Sequence, residues 1–255
     1  MQFWELLATT GRARPWIRHF LPIAVLYLAF FATDAKAQQF NTDNWWVLPN
    51  ATGMGMISLG EYYSVMYLGY GFSPGWEADI AFNIFKEGDD NTAAHYSTTA
   101  YVKRLIFEDE ALTRGAAVMV GIGMGPGFID SGVKIQDFRD FWAAVPVTIP
   151  FFDNKLSWDL MPGVTWNTEY GPEKKSAVGF TYSSRMALYG IVPQSAVVFE
   201  VFGAEGDTDA PAQYKAGVRW ESEFVIAALT YGDGLEGNGG GGVELGFVFL
   251  TMPYF

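Results

Sequence analysis

The sequence has no cysteine, only two histidines, and no apolar run long enough to cross a bilayer as a helix. Each lack removes a class of protein. Without cysteine there is no disulfide framework, no thiolate metal site and no thiol nucleophile, although an oxidising compartment stays permitted. One histidine beyond residue 37 leaves too few ligands for a transition-metal centre, and no metal or other cofactor is expected. The longest apolar run, 21–32, falls short of the roughly 20 residues that a spanning helix needs. Bases are scarce too, with 16 Lys and Arg against 28 Asp and Glu. Nucleic acid is excluded as a partner, because neutralising phosphates requires clustered bases.

The 21–32 run follows Arg12, Arg14, Arg18 and His19 and precedes Ala35-Lys36-Ala37. A basic region, an apolar region and a small-x-small site in that order read as a signal peptide, 1–37, cleaved after Ala37; an uncleaved anchor is the alternative. Taking Arg12, Arg14, Arg18 and Lys36 from the bases and Glu5 and Asp34 from the acids leaves 12 bases against 26 acids, a mature charge near −14.

What the chain has in quantity is aromatic residues, 17%, and glycine, 29 residues, the material of strands and turns. From Trp76 the pattern has period two: Trp76, Ala78, Ile80, Phe82 and Ile84 share one face, and Glu77, Asp79, Ala81 and Asn83 the other. Over 176–190, Val178, Phe180, Tyr182, Met186 and Leu188 oppose Ala177, Gly179, Thr181, Ser183 and Arg185. The same reading predicts twelve strands, at 54–61, 64–72, 76–84, 95–107, 115–124, 138–149, 155–167, 176–190, 196–204, 213–221, 224–232 and 243–255. No turn residue separates Tyr62 from Ser64, so 54–72 also reads as one long strand.

Connections alternate in length. Ser73-Pro74-Gly75, 151–154, 192–195 and Ser222-Glu223 are short, whereas 86–94, 126–137, 168–175, 205–212 and 233–242 are long and polar or glycine-rich. The medium 108–114 is the exception. Short periplasmic turns and longer external loops are the habit of outer-membrane barrels. Parity then places both termini on the periplasmic side, with 38–53 an N-terminal periplasmic segment and 54–255 the barrel.

Alternation alone also fits a soluble sandwich. Tryptophan placement favours the membrane: Trp76, Trp142, Trp158, Trp166 and Trp220 fall near strand ends, as an aromatic girdle requires. Trp158 and Trp166 share a face and stand roughly 27 Å apart along a strand, or about 20 Å once tilted, which fits an apolar band. In the last strand Val243, Leu245, Phe247, Phe249 and the terminal Phe255 lie on one face, with Thr251 and Pro253 off the apolar pattern. Here the chain resembles bacterial outer-membrane β-barrels. That resemblance implies Phe255 as a signal for the barrel-assembly machinery, with outer-membrane lipids and lipopolysaccharide as surroundings. The expected fold is all-β, a closed antiparallel up-and-down transmembrane β-barrel of about twelve strands, because open edges find no partners in hydrocarbon.

Further motifs carry a narrower resemblance. Ser183-Ser184-Arg185, Val192-Pro193, Val201-Phe202-Gly203, Ala216-Gly217-Val218-Arg219-Trp220-Glu221 and Thr230-Tyr231-Gly232 are similar to the transporter-like barrel family named for the MetA pathway of phenol degradation. That likeness implies passage of small, hydrophobic or aromatic, solutes.

The polar strand faces supply the candidate lumen: Glu77, Asp79, Asn83, Lys103, Asp159, Asn167, Arg185, Glu200, Lys215, Arg219, Glu221 and Glu244. Mixed charges there either set solute preference in a water-filled passage or pair across strands in a filled barrel. The first expectation is therefore a passive channel for small solutes. The second is a structural or adhesive barrel whose acidic stretches 87–90, 205–209 and 233–236 contact partners or Ca²⁺ outside. A third is a lipid hydrolase, since His95 and Ser97 point to one side of a strand and a base beside a hydroxyl is what acyl transfer needs. The glycine run 121–127 has no helix pattern after it to bind phosphate, and reads as strand bending.

Overall fold

A computed structural model describes residues 42–61, 63–85, 95–123, 140–170, 175–207, 210–235 and 242–251. The stretch 1–37, expected to be a signal peptide, and Phe255 lie outside the described residues, as do most of the long connections. Thirteen strands follow in order: β1 Gly53–Gly60, β2 Tyr63–Ser73, β3 Trp76–Phe85, β4 His95–Glu108, β5 Gly115–Gly123, β6 Asp140–Ala144, β7 Val147–Phe151, β8 Leu156–Tyr170, β9 Lys175–Tyr189, β10 Ser195–Gly206, β11 Ala210–Glu221, β12 Val225–Gly234 and β13 Gly242–Leu250.

β6 and β7 form a single stave. Both pair with β5 on one side and β8 on the other in continuous register, and Val145-Pro146 interrupts them. The predicted strand 138–149 is broken there because Pro146 brings no N–H to the ladder and Pro162, facing Val145 on β8, brings none either. The surviving bonds run from the Ala117 N–H to the Pro146 carbonyl, 3.0 Å, and from the Val145 N–H to the Pro162 carbonyl, 2.9 Å. The stretch 54–72 is a hairpin of two strands, with Leu59 opposite Ser64 and Gly53 opposite Tyr70.

Every neighbouring pair is antiparallel, and β1 pairs with β13, setting Met54 opposite Leu250. With β6 and β7 counted together, the sheet is a ring of twelve staves that leaves no free edge. Among the described residues no helix is long and apolar enough to cross a membrane, and the wall is made of strands alone.

Alternation along each stave sorts side chains between two sides of this wall. Leu68, Val120, Val164, Phe180, Val218, Leu229 and Leu245 all point outward and are exposed, whereas Ser58, Glu77, Lys103, Asp159, Arg185 and Glu200 are buried. A sandwich inverts this arrangement. An exposed apolar band on successive staves around a polar interior is the surface of a barrel that meets lipid, since water would not hold a patch of this extent.

Candidate functional site: the barrel interior

The interior is organised by register. Asp159, Arg185, Glu200 and Lys215 are consecutive cross-strand partners on β8, β9, β10 and β11, so charge alternates in sign from stave to stave. Opposite charges in facing positions attract, and here they are removed from bulk water. Arg185 places Nε and Nη2 on Asp159 Oδ2, at 2.9 and 2.7 Å. Thr148, facing Asp159 from β7, donates its hydroxyl to Asp159 Oδ1 at 2.6 Å. Lys215 donates to Glu244 Oε2 on β13 at 2.7 Å, and Ser58 of β1 donates to the other oxygen of Glu244. Arg219 pairs with Glu221 along its own strand, 2.6 Å.

A second cluster lies on β2, β3 and β4. The Tyr67 hydroxyl donates to Asp79 and stands 3.0 Å from the Tyr101 hydroxyl, while Glu77 and Lys103 are direct cross-strand partners. Tyr101 in turn packs against Trp142, ring centroids 5.2 Å apart.

The N-terminal segment 42–52 lies inside this interior, where the sequence had placed 38–53 as a periplasmic segment ahead of the barrel. Thr42, Asp43, Trp45, Val47 and Leu48 are all buried. The Thr42 N–H donates to Glu200 on β10, the Trp45 N–H reaches Thr148 Oγ1 at 3.4 Å, and the Leu48 N–H donates to Glu77 Oε2 on β3 at 2.8 Å. From β3 to β10 is six staves in a ring of twelve. The segment therefore crosses the full width of the lumen. Lys103 fixes its middle, with Nζ 2.9 Å from Asp43 Oδ2 and 2.6 Å from the Trp46 carbonyl. At the far end the chain rests on bare backbone: a Cβ added at Gly71 would fall 2.6 Å from the Leu48 carbonyl oxygen. Leu48, with Trp46 against it, packs in an apolar cluster with Met54, Val65, Tyr67 and Ile226, while wall side chains pair the segment's backbone N–H and carbonyl groups where a soluble loop would use water.

Of the residues assigned to the lumen from sequence, Glu77, Asp79, Asn83, Lys103, Asp159, Asn167, Arg185, Glu200, Lys215, Arg219 and Glu244 are buried, and Glu221 is half-buried beside Arg219. Tyr67, Tyr101, Asp140 and Thr148 join them unannounced. Asp140 shares a parity with Trp142 and Ala144, and that shared face was the signal available.

Trp142 corrects the girdle. It is 3% exposed and points inward, stacked over Gly121, its partner on β5, which has no side chain to exclude the indole. Its neighbour Phe141 takes the outward place beside Trp166, centroids 5.6 Å apart. Trp76, Trp158, Trp166 and Trp220 occupy outward parities. Trp76 carries the Arg104 guanidinium 4.7 Å above its ring.

The His95 side chain is outside the described residues. Ser97 is buried and faces Asn83 across β3 and β4. Among the described residues no group of three His, Cys, Asp or Glu side chains is placed to hold a metal ion.

Apolar outside, charged inside and closed by hydrogen bonds, the molecule is a β-barrel of the outer-membrane type. Solved structures share this architecture at low identity. A KdgM porin aligns with a TM-score of 0.54 and 8% identity, covering 78% of this chain and 98% of the porin. The same porin in complex with disordered oligogalacturonate gives a TM-score of 0.53 at 9% identity, covering 78% and 98%. An outer-membrane channel from Pseudomonas putida F1 gives 0.54 at 11% identity, covering 81% and 98%. No family model matches, and no curated protein matches. The narrower resemblance to the phenol-degradation family thus finds no support in these comparisons.

Proposed function

We propose that the chain is an outer-membrane channel for small solutes whose lumen is closed by its own N-terminal segment. The crossing of 42–48 from Glu200 to Glu77 carries this reading. A barrel with only a structural role fills its interior with wall side chains, as small barrels do. This one spends charged wall residues on a separate segment of chain, a strap held by their hydrogen bonds and by the packing of Leu48 and Trp46. Passage requires the strap to leave, and the charged rows it uncovers then meet the solute. The fold of the porins and of the Pseudomonas channel supports the reading.

Planar-bilayer recording with refolded chain tests it. The full chain should show small or intermittent conductance, and a chain lacking 42–48 should conduct steadily at a higher level. Sealed membranes with both proteins would overturn passage and favour the structural barrel.

A further inference from the structure

Glu77 and Asp79 stand two positions apart on β3, both buried on its inner face, so their carboxyls share one side of the wall. The Tyr67 hydroxyl on β2 reaches both, donating to Asp79 Oδ1 and standing 3.4 Å from Glu77 Oε1. One O–H has one proton and cannot serve two carboxylates at once. The two side chains are also placed to hydrogen-bond to each other, which ionised carboxylates, being acceptors only, cannot do without a proton between them. Asp79 Oδ2 is buried and receives no donor.

Nearby charge does not offset the pair. Asp43 of the strap, Glu77 and Asp79 confront one cation, Lys103, whose Nζ is already held by Asp43 and the Trp46 carbonyl. Tyr67 and Tyr101 complete the titratable groups facing them, and on β5 the partners of Tyr101 and Lys103 are Gly121 and Met119. The strap supplies cover. Asp79 is paired with Gly69 on β2, where an added Cβ would lie 2.5 Å from Asp79 Oδ1 and 3.2 Å from Leu48 Cδ1, so carboxyl and leucine crowd the same bare backbone. The Leu48 N–H also donates to Glu77 Oε2. Two carboxylates this close cannot both stay ionised while water is excluded.

We propose that Glu77 and Asp79 form a proton-binding pair that holds one proton while the strap is docked and gives it up to lumen water when the strap leaves. The docked state then binds one proton more, so falling pH favours docking and rising pH favours release. Asp43 acts in the opposite sense, its protonation in strong acid breaking the tie to Lys103. The consequence for conduction rests on the channel reading above; the proton itself does not.

Infrared difference spectra of refolded chain test the proton. At neutral pH the parent should show the C=O stretch of a protonated carboxyl, shifted in D2O and lost in both Asp79→Asn and Glu77→Gln, whose amides can donate to the remaining carboxylate. A chain lacking 42–48 should lose the band with both carboxyls intact. In planar bilayers the open-to-closed ratio of the parent should rise with pH, by at most about tenfold per pH unit for one proton, and Asp79→Asn should flatten that rise. No band lost in either substitution overturns the pair, as it would if both carboxyls were ionised around a metal ion. A band that survives removal of 42–48 overturns the coupling to the strap. Membranes sealed at every pH, with and without 42–48, would sink the channel reading and leave the infrared band to decide the pair.

Discussion

Lys103 and Asp43 meet 2.9 Å apart inside the barrel, one from the wall and the other from the segment that crosses it. Both are almost fully buried, so the pair ties the crossing segment to the wall where water cannot replace either charge. Removing one partner of a buried pair strands the other, at about 3–5 kcal/mol. If passage proceeds by release of the segment, as proposed, the stranded group has an escape, because Asp43 leaves with it. Lys103→Met should therefore raise mean single-channel conductance while the barrel still folds. Asp43→Asn added to it should change little further, since contacting residues do not act additively. Independent, additive effects of the two substitutions on conductance would refute the tie.

Gly71 offers a steric version of the same release. Its missing Cβ is replaced by the strap's own backbone around Leu48 and Pro49, and no wall atom is among the nearest neighbours of an added carbon. Gly71→Ala should displace the strap without disturbing the ladder. The expected outcome is faster cleavage of the N-terminal segment by a protease added on the short-turn side, with the barrel fragment intact; parental cleavage rates would count against the packing.

Trp142 and Trp166 should report opposite sides of the wall. Trp166 is 49% exposed on the outer face and Trp142 is shielded inside. In single-tryptophan variants refolded into vesicles with brominated lipid, Trp166 emission should be quenched strongly and Trp142 emission hardly at all. Equal quenching would return Trp142 to the girdle.

The 109–114 turn carries a pH dependence outside the membrane. Desolvation pushes the Asp109 carboxyl up, but the Thr113 and Arg114 N–H groups, the Thr113 hydroxyl and the Arg114 guanidinium outweigh it and hold it below its ordinary 3.8. The Thr113 N–H lies 2.8 Å and the Arg114 N–H 3.2 Å from Oδ1. A depressed carboxylate contributes order that is present above the unfolded value and is lost as pH falls through the folded one. Protection of the Thr113 amide from hydrogen exchange should therefore drop below about pH 4, and Asp109→Asn should remove that dependence. A flat profile in the parent would contradict the turn geometry.

Legibility differed between wall and interior for physical reasons. On β9, alternation from Ala177 to Arg185 is local and unbroken, so parity alone assigns every side chain to a face. On β6 the aromatics Phe141 and Trp142 are adjacent; Asp140 shares the parity of Trp142 and hints at the inward face, and the glycine at position 121, brought opposite by pairing with β5, makes the room for the indole there. The break at Val145-Pro146 is likewise marked by a proline in the sequence, but that two half-strands stay in one register depends on β5 and β8 together.

The sequence by itself determined the alternating staves, the outward apolar band and the identity of the charged residues that share the inner face, because period two is a property of each strand alone. Tertiary structure decided which charges become partners and what stands between them. Asp159, Arg185, Glu200 and Lys215 form a row only through pairing register across four strands, and Glu77 comes to face Glu200 only because the ring closes. The 42–52 segment has no periodicity to betray its place. Its position follows from buried wall groups, on staves that only ring closure sets opposite one another, that bond to its backbone N–H groups and carbonyls.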